Sequence, residues 1–510
     1  MQATGPTGAT YAESARNSDI VEAGYPKPPD LDIEAWSSLI GSKSVTSPHL
    51  IANIDHPSQS SSDNSEDSSI ASVQSCRDFY RRASWAPDGS AILAITESQR
   101  KHVHRCSSSG GIERTSELKN PSPLLDAVWY PVPALRQPTD DQESQGTATT
   151  TWCFAESHRD LPIRLTASNN GESRASYSIM NHVEKFVGPH SLAFSPDLSR
   201  LYCGLFSALA VFPLSRPGLN THANVPLTSG KRSTGGQKGI ISAVATTAHP
   251  SDASQELVAV GTYNGSVGIY GFDPTTLPDP TEHTATQTTS YGEETLAQSS
   301  CLAGWREIEG DGITQLKFHP LVPYVLFVAS RRSDYMYVYD ARYLMGDTSR
   351  WSFRPLAQAA AGVRTAHLLA KLRRSGGASH QRLHFDVDWA GRWLATGDEN
   401  GMIHLWRIDT GRFMDQADLD EEASEVLELK PDLSWKAHAD AVGSVSFHPY
   451  QPWLVSVSGS RRWSDSESAN GRESSSEESE STCASQQPAW TTNDSSLKVW
   501  DFSQPPAPRC

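Results

Sequence analysis

The sequence lacks the features that mark secreted, disulfide-bonded or membrane-spanning proteins. Its seven cysteines are dispersed over 510 residues with no Cys-x-x-Cys pair, a usage that favours reduced thiols inside the cell. The N-terminus has no basic start followed by an apolar run, so we expect no secretory signal. No stretch reaches the roughly 18 apolar residues of a membrane span. These absences predict a soluble intracellular protein with no membrane partner.

Sequence motifs of catalysis and metal binding are also missing. The chain has no G-x-S-x-G, no Walker loop, no H-E-x-x-H and no glycine-rich dinucleotide fingerprint after a strand. His249, His319 and His448 each precede a proline at the same turn of a repeat, so we interpret them as turn residues and not as metal ligands. We therefore expect a protein that is not an enzyme, with no metal, no cofactor and no small-molecule substrate.

The formal net charge of −16 is concentrated in three segments. Residues 1–75, 412–432 and 464–481 carry net charges of −7, −6 and −5, and the remainder of the chain is close to neutral. Runs of like charge favour extended, solvated chain. The acidic balance therefore belongs to tails and loops, and it neither supports nor excludes an RNA partner.

One unit recurs along the chain: two apolar strands joined by a turn, then a polar turn and a third strand that ends on an aromatic residue. In the clearest copy, residues 382–411, Phe385, Val387 and Trp389 alternate with polar residues, as half-buried strands do. The ending Trp500-Asp501 is typical of WD40 blades. Seven copies lie near residues 79–105, 124–168, 190–214, 239–273, 311–342, 382–411 and 440–502.

Seven such units predict an all-β, seven-bladed WD40 propeller over residues 76–504, because each blade buries its faces only against its neighbours. We interpret the segments between repeats as long polar insertions, near 132–148, 216–237, 274–304, 343–380, 412–434 and 461–492. The apolar stretch 49–55 is expected to close the ring as a strand of the last blade. We expect disorder in the acidic tail 1–48, the linker 56–75, the Ser/Glu-rich insertion 464–481 and the tail 505–510.

Three polar residues of the last repeat match the hydrogen-bonded network of a WD blade. His438 precedes the first strand of the repeat, and Asp494 and Trp500 follow at the spacing of a later turn and strand. A buried, mutually satisfied set of this kind stabilises a fold. We interpret the three residues as structural, since no nucleophile accompanies them.

Twin arginines point to a basic face on the ring. Arg331-Arg332 and Arg461-Arg462 both follow the second strand of a repeat, and other basic residues precede first strands, which open on the same face. Aromatic residues, Tyr80 among them, lie close in sequence, and a basic surface with aromatic residues can neutralise phosphates and stack bases. The arginine pairs could instead solvate loops or pair with the acidic insertions. The RNA-binding candidates are Arg81, Arg82, Lys238, Tyr263, Arg331, Arg332, Tyr335, Arg382, His384, Arg461, Arg462 and Trp463.

Several motifs in order resemble the telomerase Cajal body protein family of WD-repeat proteins, which includes a splicing-associated relative in yeasts. The resemblance spans residues 79–502. The motifs are WAPDGSAIL (85–93), PHSLAFSPDLSRLYCG (189–204), GQKGIISAVA (236–245), VGTYNGSVGIYGFD (260–273), DGITQLKFHP (311–320) and FDVDWAGRWLATGDENGMIHLW (385–406).

This resemblance implies a nuclear scaffold, with the cytoplasm as a second location. It implies binding of H/ACA-type small nuclear RNAs, including telomerase RNA, together with protein subunits of ribonucleoprotein complexes and a role in telomere maintenance. The yeast relative implies a role in pre-mRNA splicing.

A different class of function stays open. The segment Tyr339-Asp340-Ala341-Arg342 resembles the W-D-x-R ending found in ubiquitin-ligase substrate receptors, so a general protein-interaction propeller is the alternative.

Overall fold

A computed structural model describes residues 48–55, 78–107, 110–135, 150–228, 236–249, 255–272, 300–306, 308–341, 367–374, 379–411, 426–463 and 490–503. The segments for which we expected disorder, apart from Pro48, lie outside these residues.

The described residues form 34 strands. The first are β1 (His49–Asp55), β2 (Tyr80–Trp85), β3 (Ala91–Thr96), β4 (Lys101–Cys106), β5 (Ile112–Leu118), β6 (Leu124–Trp129), β7 (Ala134–Leu135), β8 (Thr150–Thr151), β9 (Cys153–His158), β10 (Ile163–Ala167) and β11 (Ser173–Ser178). The next are β12 (Ser191–Phe194), β13 (Arg200–Gly204), β14 (Ala208–Pro213), β15 (Gly218–Leu219), β16 (Ala223–Pro226), β17 (Ile241–Ala248), β18 (Glu256–Thr262), β19 (Val267–Phe272), β20 (Ser300–Trp305), β21 (Ile313–Phe318), β22 (Val325–Ser330), β23 (Tyr335–Asp340) and β24 (His367–Arg373). The last are β25 (Phe385–Val387), β26 (Trp393–Gly397), β27 (Met402–Arg407), β28 (Leu427–Leu429), β29 (Leu433–Lys436), β30 (Val442–Phe447), β31 (Trp453–Ser458), β32 (Arg462–Trp463), β33 (Trp490–Thr491) and β34 (Ser496–Asp501).

Seven of the sheets are propeller blades, which confirms the predicted fold class. Blade 1 is β2-β3-β4-β5, blade 2 is β6-β9-β10-β11, blade 3 is β12-β13-β14-β16, blade 4 is β17-β18-β19-β20, blade 5 is β21-β22-β23-β24, blade 6 is β25-β26-β27-β29 and blade 7 is β30-β31-β34-β1. Short parallel strands, β15 and β28, extend blades 2 and 5. In blade 7, β1 pairs antiparallel with β34, so residues far apart in sequence complete the last sheet.

The hydrophobic core lies between consecutive blades. One cluster joins Ile269 of blade 4 to Ile313 and Val328 of blade 5, and another joins Ile92 of blade 1 to Val499 of blade 7. Strands covered on both faces read as continuous apolar runs, and β18 is buried along its whole length for this reason. Each blade therefore depends on its neighbours for burial.

The outer strands come from segments that we interpreted as polar insertions. β16 lies within 216–237, β24 lies within 343–380, and β20 begins inside 274–304. The repeat that we recognised ends on its third strand, and in these blades the fourth strand follows only after an intervening segment of variable length. This is why the sequence did not reveal these strands.

The first strands of five blades carry a β-bulge near their start, between Tyr80 and Arg82 in blade 1, for example. Consecutive side chains of a regular strand point to opposite faces, and a bulge changes where a side chain points. As a result, the neighbours Arg81 and Arg82 both line the central channel.

Candidate nucleic-acid interface

The loops that carry the candidate residues gather on one face of the ring. We call this the upper face, where first strands begin and second strands end. The backbone N–H of Arg331 donates to Gly312 O, and that of Tyr263 donates to Ile240 O. Each of these bonds joins a loop after a second strand to a segment before a first strand. Because neighbouring strands within each blade run antiparallel, the loops that follow second strands lie on the same face as the segments that precede first strands. The twin arginines and the first-strand arginines therefore share that face.

The central channel is lined by the first strands and has a volume of about 650 Å³. Five cationic side chains and only two carboxylates, Asp126 and Asp386, line it, although the chain as a whole is strongly acidic. Lys317 forms an ion pair with Asp386. The other four cationic residues are Arg81, Arg82, Arg159 and Arg382. We call these four arginines, with His190, Tyr263 and His384, the channel mouth.

Carboxylates hold two of the mouth arginines in place. Arg82 Nη1 lies 2.6 Å from Asp126 Oδ1, and Arg81 Nε lies 3.0 Å from Glu97 Oε2. Asp126 also accepts a hydrogen bond from the backbone N–H of Leu192 in the next blade, at 2.8 Å. Asp126 therefore joins two blades and orients Arg82 at the same time.

The other two mouth arginines form no ion pair within the described part of the chain. The Arg382 guanidinium stacks over the ring of Tyr263 at 5.0 Å from the ring centroid, a contact that fixes its plane. Burial, followed by the charges of Arg81 and Arg82, lowers the pKa of Arg382, and Asp126 acts in the opposite direction. Arg159 is exposed in the loop after β9.

Burial and the neighbouring positive charges lower the pKa values of two histidines at the mouth. Burial is the first cause that lowers the pKa of His384, followed by the charges of Arg82, Arg382 and Arg81. The pKa of His190 is lowered by burial and then by Arg382 and Arg159. Both imidazoles are therefore neutral near pH 7.

The twin arginines form an outer group, together with basic and aromatic neighbours. We call Phe206, Lys238, Arg331, Arg332, Tyr335, Arg461 and Arg462 the rim. Arg332 Nη1 lies 2.9 Å from Asp311 Oδ2, and Arg462 Nη2 lies 2.9 Å from Asp440 Oδ1. Arg461 pairs with Glu97. The carboxylates that pair with these three arginines lie outside the three acidic segments, and each arginine side chain keeps about half of its surface exposed.

The predicted aromatic residues divide between exposed and buried positions. Tyr335 is partly exposed, with its hydroxyl 3.3 Å from Glu428 Oε1. Trp463 belongs to β32, which pairs with β33. Tyr80 was expected near RNA, but it is fully buried. Its side chain packs in the core between blades 1 and 7, so it offers no stacking surface.

Sequence reasoning missed Phe206, Arg159 and His190 as site residues. Phe206 is 67% exposed in the loop after β13, where its backbone forms a β-bridge with Ile240. An aromatic residue in a tight turn of three residues, Leu205 to Ser207, was the available signal for Phe206. Arg159 and His190 occupy the same loop positions as residues that were chosen from other repeats.

His438, Asp494 and Trp500 lie in one hydrogen-bonded network inside blade 7. His438 Nδ1 is 3.2 Å from Asp494 Oδ2, and His438 Nε2 is 2.8 Å from Ser456 Oγ. Trp500 Nε1 donates to the same hydroxyl at 2.8 Å. Burial acts to raise the pKa of Asp494, but hydrogen bonds from His438, Ser496 and the backbone N–H of Ala439 outweigh it and lower that pKa. The network ties the start of β30 to β31 and β34.

Within the described residues, no group of three or more His, Cys, Asp or Glu side chains is arranged to hold a metal ion. No helix among those residues has the length and apolar character needed to cross a membrane.

Comparisons with known proteins find one WD repeat in the chain and similarity to curated proteins over most of its length. The family described as WD domain, G-beta repeat matches residues 429–464. Telomerase Cajal body protein 1 of Mesocricetus auratus is 29% identical over 397 residues, which cover 76% of this chain and 59% of that protein. The Homo sapiens protein of that name is 29% identical over 393 residues, covering 75% of this chain and 57% of its own length. Guanine nucleotide-binding protein negative regulator 1 of Schizosaccharomyces pombe is 28% identical over 343 residues, covering 64% of this chain and 70% of its own. The chain spans about three fifths of the length of the mammalian relatives.

Proposed function

Since the chain is a WD-repeat protein homologous to telomerase Cajal body protein 1, we propose that it is a non-catalytic nuclear scaffold that binds H/ACA-type small nuclear RNA. The observation that carries the proposal is the upper face, where basic and exposed aromatic side chains gather on an otherwise acidic protein. In this role the protein assists assembly and localisation of a ribonucleoprotein, with telomerase RNA as one ligand.

The rim supplies the contacts that recognition of an RNA loop requires. Phosphates bind the guanidinium groups of the exposed Arg332 and the half-buried Arg331, because guanidinium pairs with phosphate in a bidentate geometry. Unpaired bases stack on Phe206 and Tyr335, the exposed and the partly exposed aromatic side chains of the rim. Asp311 holds Arg332 in the free protein and competes with RNA for it.

The salt dependence of RNA binding tests this role of the rim. In the double variant Arg331→Ala/Arg332→Ala, we expect weaker binding of an H/ACA-type RNA loop. The slope of log K against log salt should fall by about one to two units, because each lost phosphate contact releases close to one counterion fewer.

The matched control is Arg174→Ala. Arg174 has a similar exposure and pairs with Glu172, but it lies on β11, away from the rim. Its replacement should leave the slope unchanged, and an unchanged slope in the double variant would remove Arg331 and Arg332 from the RNA site.

Crosslinking and immunoprecipitation from cells, followed by sequencing of the attached RNA, distinguishes the wider roles. Recovery of H/ACA-type RNA or telomerase RNA supports the proposal, whereas spliceosomal RNA indicates a splicing role. Recovery of no enriched RNA indicates a protein-interaction propeller. The segment that suggested this alternative offers little accessible surface, because Tyr339, Asp340 and Ala341 are buried. Its last residue, Arg342, lies outside the described residues.

A further inference from the structure

The arginines of the channel mouth line the central channel and face one another, whereas the arginines of the rim lie outside it. Rim arginines project from loops, while the four mouth arginines line one channel together. They come from blades 1, 2 and 6, so their charges converge across the ring. Like charges repel each other, and a protein places several around one cavity at a cost in stability. A ligand of opposite charge would remove that cost.

We propose that the channel mouth is a binding site for a compact small molecule that carries several phosphate groups. The site is independent of the RNA-binding role proposed for the rim.

The size and chemistry of the channel match such a ligand. Small-molecule sites have volumes of roughly 300–1,000 Å³, and the channel, at about 650 Å³, lies within that range. Arg159 and Arg382 make no ion pair with a carboxylate among the described residues, so both guanidinium groups are available for phosphate. Tyr263 already holds the guanidinium plane of Arg382, which reduces the entropy lost on binding.

Neutral histidines complete the polar wall of the mouth. The side chains of His190 and His384 make no hydrogen bond to the described part of the chain, although both are half-buried. Each neutral imidazole has one donor nitrogen and one acceptor nitrogen. The donor of each ring can reach a phosphate oxygen, while arginines neutralise the charge.

A continuous RNA strand fits the mouth less well than a compact ligand. Backbone phosphates are single charges spaced along a chain, and they are contacted from the surface by projecting side chains. Four guanidinium groups around one cavity favour several phosphates held close together. Multiply phosphorylated inositols and inorganic polyphosphates share this chemistry.

Calorimetry with inositol hexakisphosphate and the full chain tests the site. We expect one molecule to bind per chain, and we expect Arg159→Ala and Arg382→Met each to weaken binding about tenfold or more, as the loss of a charge-assisted hydrogen bond does. Tripolyphosphate should bind at the same mouth if phosphate density alone is recognised. If tripolyphosphate fails to compete with inositol hexakisphosphate, the site recognises phosphates arranged around a ring. That result still supports a binding site at the channel mouth.

Three outcomes would overturn the proposal: no binding by the wild-type chain, wild-type affinity in both variants, or displacement of the probe by sulfate at the same ionic strength. Arg159 is exposed, so Arg159→Ala keeps the test valid if Arg382→Met fails to fold. The control Arg332→Ala should bind the probe as the wild type does.

The two proposals fail in different ways. If the Arg331→Ala/Arg332→Ala variant loses RNA binding but still binds inositol hexakisphosphate, the proposal for the mouth site is supported. If saturating probe displaces RNA and Arg382→Met loses both ligands, the mouth belongs to the RNA surface and the separate site is wrong.

Discussion

The upper and lower faces of the ring use histidine in different ways. On the lower face, at turns between first and second strands, His319 and His448 are fully hydrogen-bonded. His319 Nδ1 accepts from two backbone N–H groups, and its Nε2 donates to Gly391 O at 2.8 Å in the next blade. On the upper face, His190 and His384 lie among arginines. Burial lowers the pKa of all four, but only the upper pair is lowered further by neighbouring cations.

This difference separates a structural role from a binding role. The lower histidines connect blades: His319 of blade 5 meets a turn of blade 6, and His448 of blade 7 meets the turn at Gly89 of blade 1. Their hydrogen-bonding capacity is used within the protein. The side chains of the upper histidines form no hydrogen bond within the described residues, and this is the capacity that the proposed mouth site would use.

The largest expected effect comes from breaking a lower-face contact with Gly391→Ala. Gly391 has a φ of +71°, and a Cβ there would lie 2.0 Å from the His319 ring. We expect the free energy of unfolding to fall by about 2–5 kcal/mol, from a left-handed conformation combined with overpacking. Urea unfolding followed by tryptophan fluorescence measures the change.

Gly265→Ala is the matched control on the upper face. Gly265 has a φ of +78°, but nothing lies within 4 Å of its Cβ position. We expect a loss of about 1–2 kcal/mol from conformation alone. Equal losses in the two variants would show that the His319 contact contributes nothing to stability.

We expect a smaller effect on the free energy of unfolding from protonation of His448 on the lower face. Burial lowers the pKa of His448 to about 4, with Gly89 O and Asp88 acting in the opposite direction. Between pH 6.5 and 4 the unfolded chain binds a proton that the folded chain does not, so stability falls as the pH falls. The loss reaches about 3 kcal/mol, at about 1.4 kcal/mol per pKa unit.

Urea unfolding at pH 7, 5.5 and 4.5 measures this dependence, and His448→Gln is the comparison. The variant removes one titrating group, so its stability should fall less steeply over the same interval. Identical slopes in the two proteins would mean that His448 is not the group responsible.

The fold was predictable from the sequence because its pattern is local. The alternation at Phe385, Val387 and Trp389 and the repeated turn histidines give the blade and its repetition. The outer strands β16, β20 and β24 were less visible, since each follows the recognised three-strand repeat only after an intervening segment of variable length.

The sequence allowed us to predict which loops carry the site residues, but not which of these residues lie in the channel. Equivalent loop positions place Arg331 and Arg382 on the same face. They do not reveal that one projects from the rim while the other stacks on Tyr263 in the channel. That distinction depends on bulges and on contacts between distant blades. Burial of Tyr80 has the same origin, because blade 7 covers it.

The smallest expected effect, a change in one titration curve, sharpens the contrast between the faces. In Arg382→Met, the pKa of His384 should rise, because one of the cations that lower it is gone, yet remain below its ordinary value because burial is the largest cause. Carbon-labelled histidine NMR, with the signal assigned from His384→Gln, follows the titration. Arg332→Ala removes a rim cation that is paired with Asp311 and should leave the curve unchanged. The signal of His448 on the lower face should titrate alike in all these proteins. If His384 were insensitive to Arg382, the mouth arginines would not form one electrostatic unit, and the distinction between a binding face and a structural face would lose its physical basis.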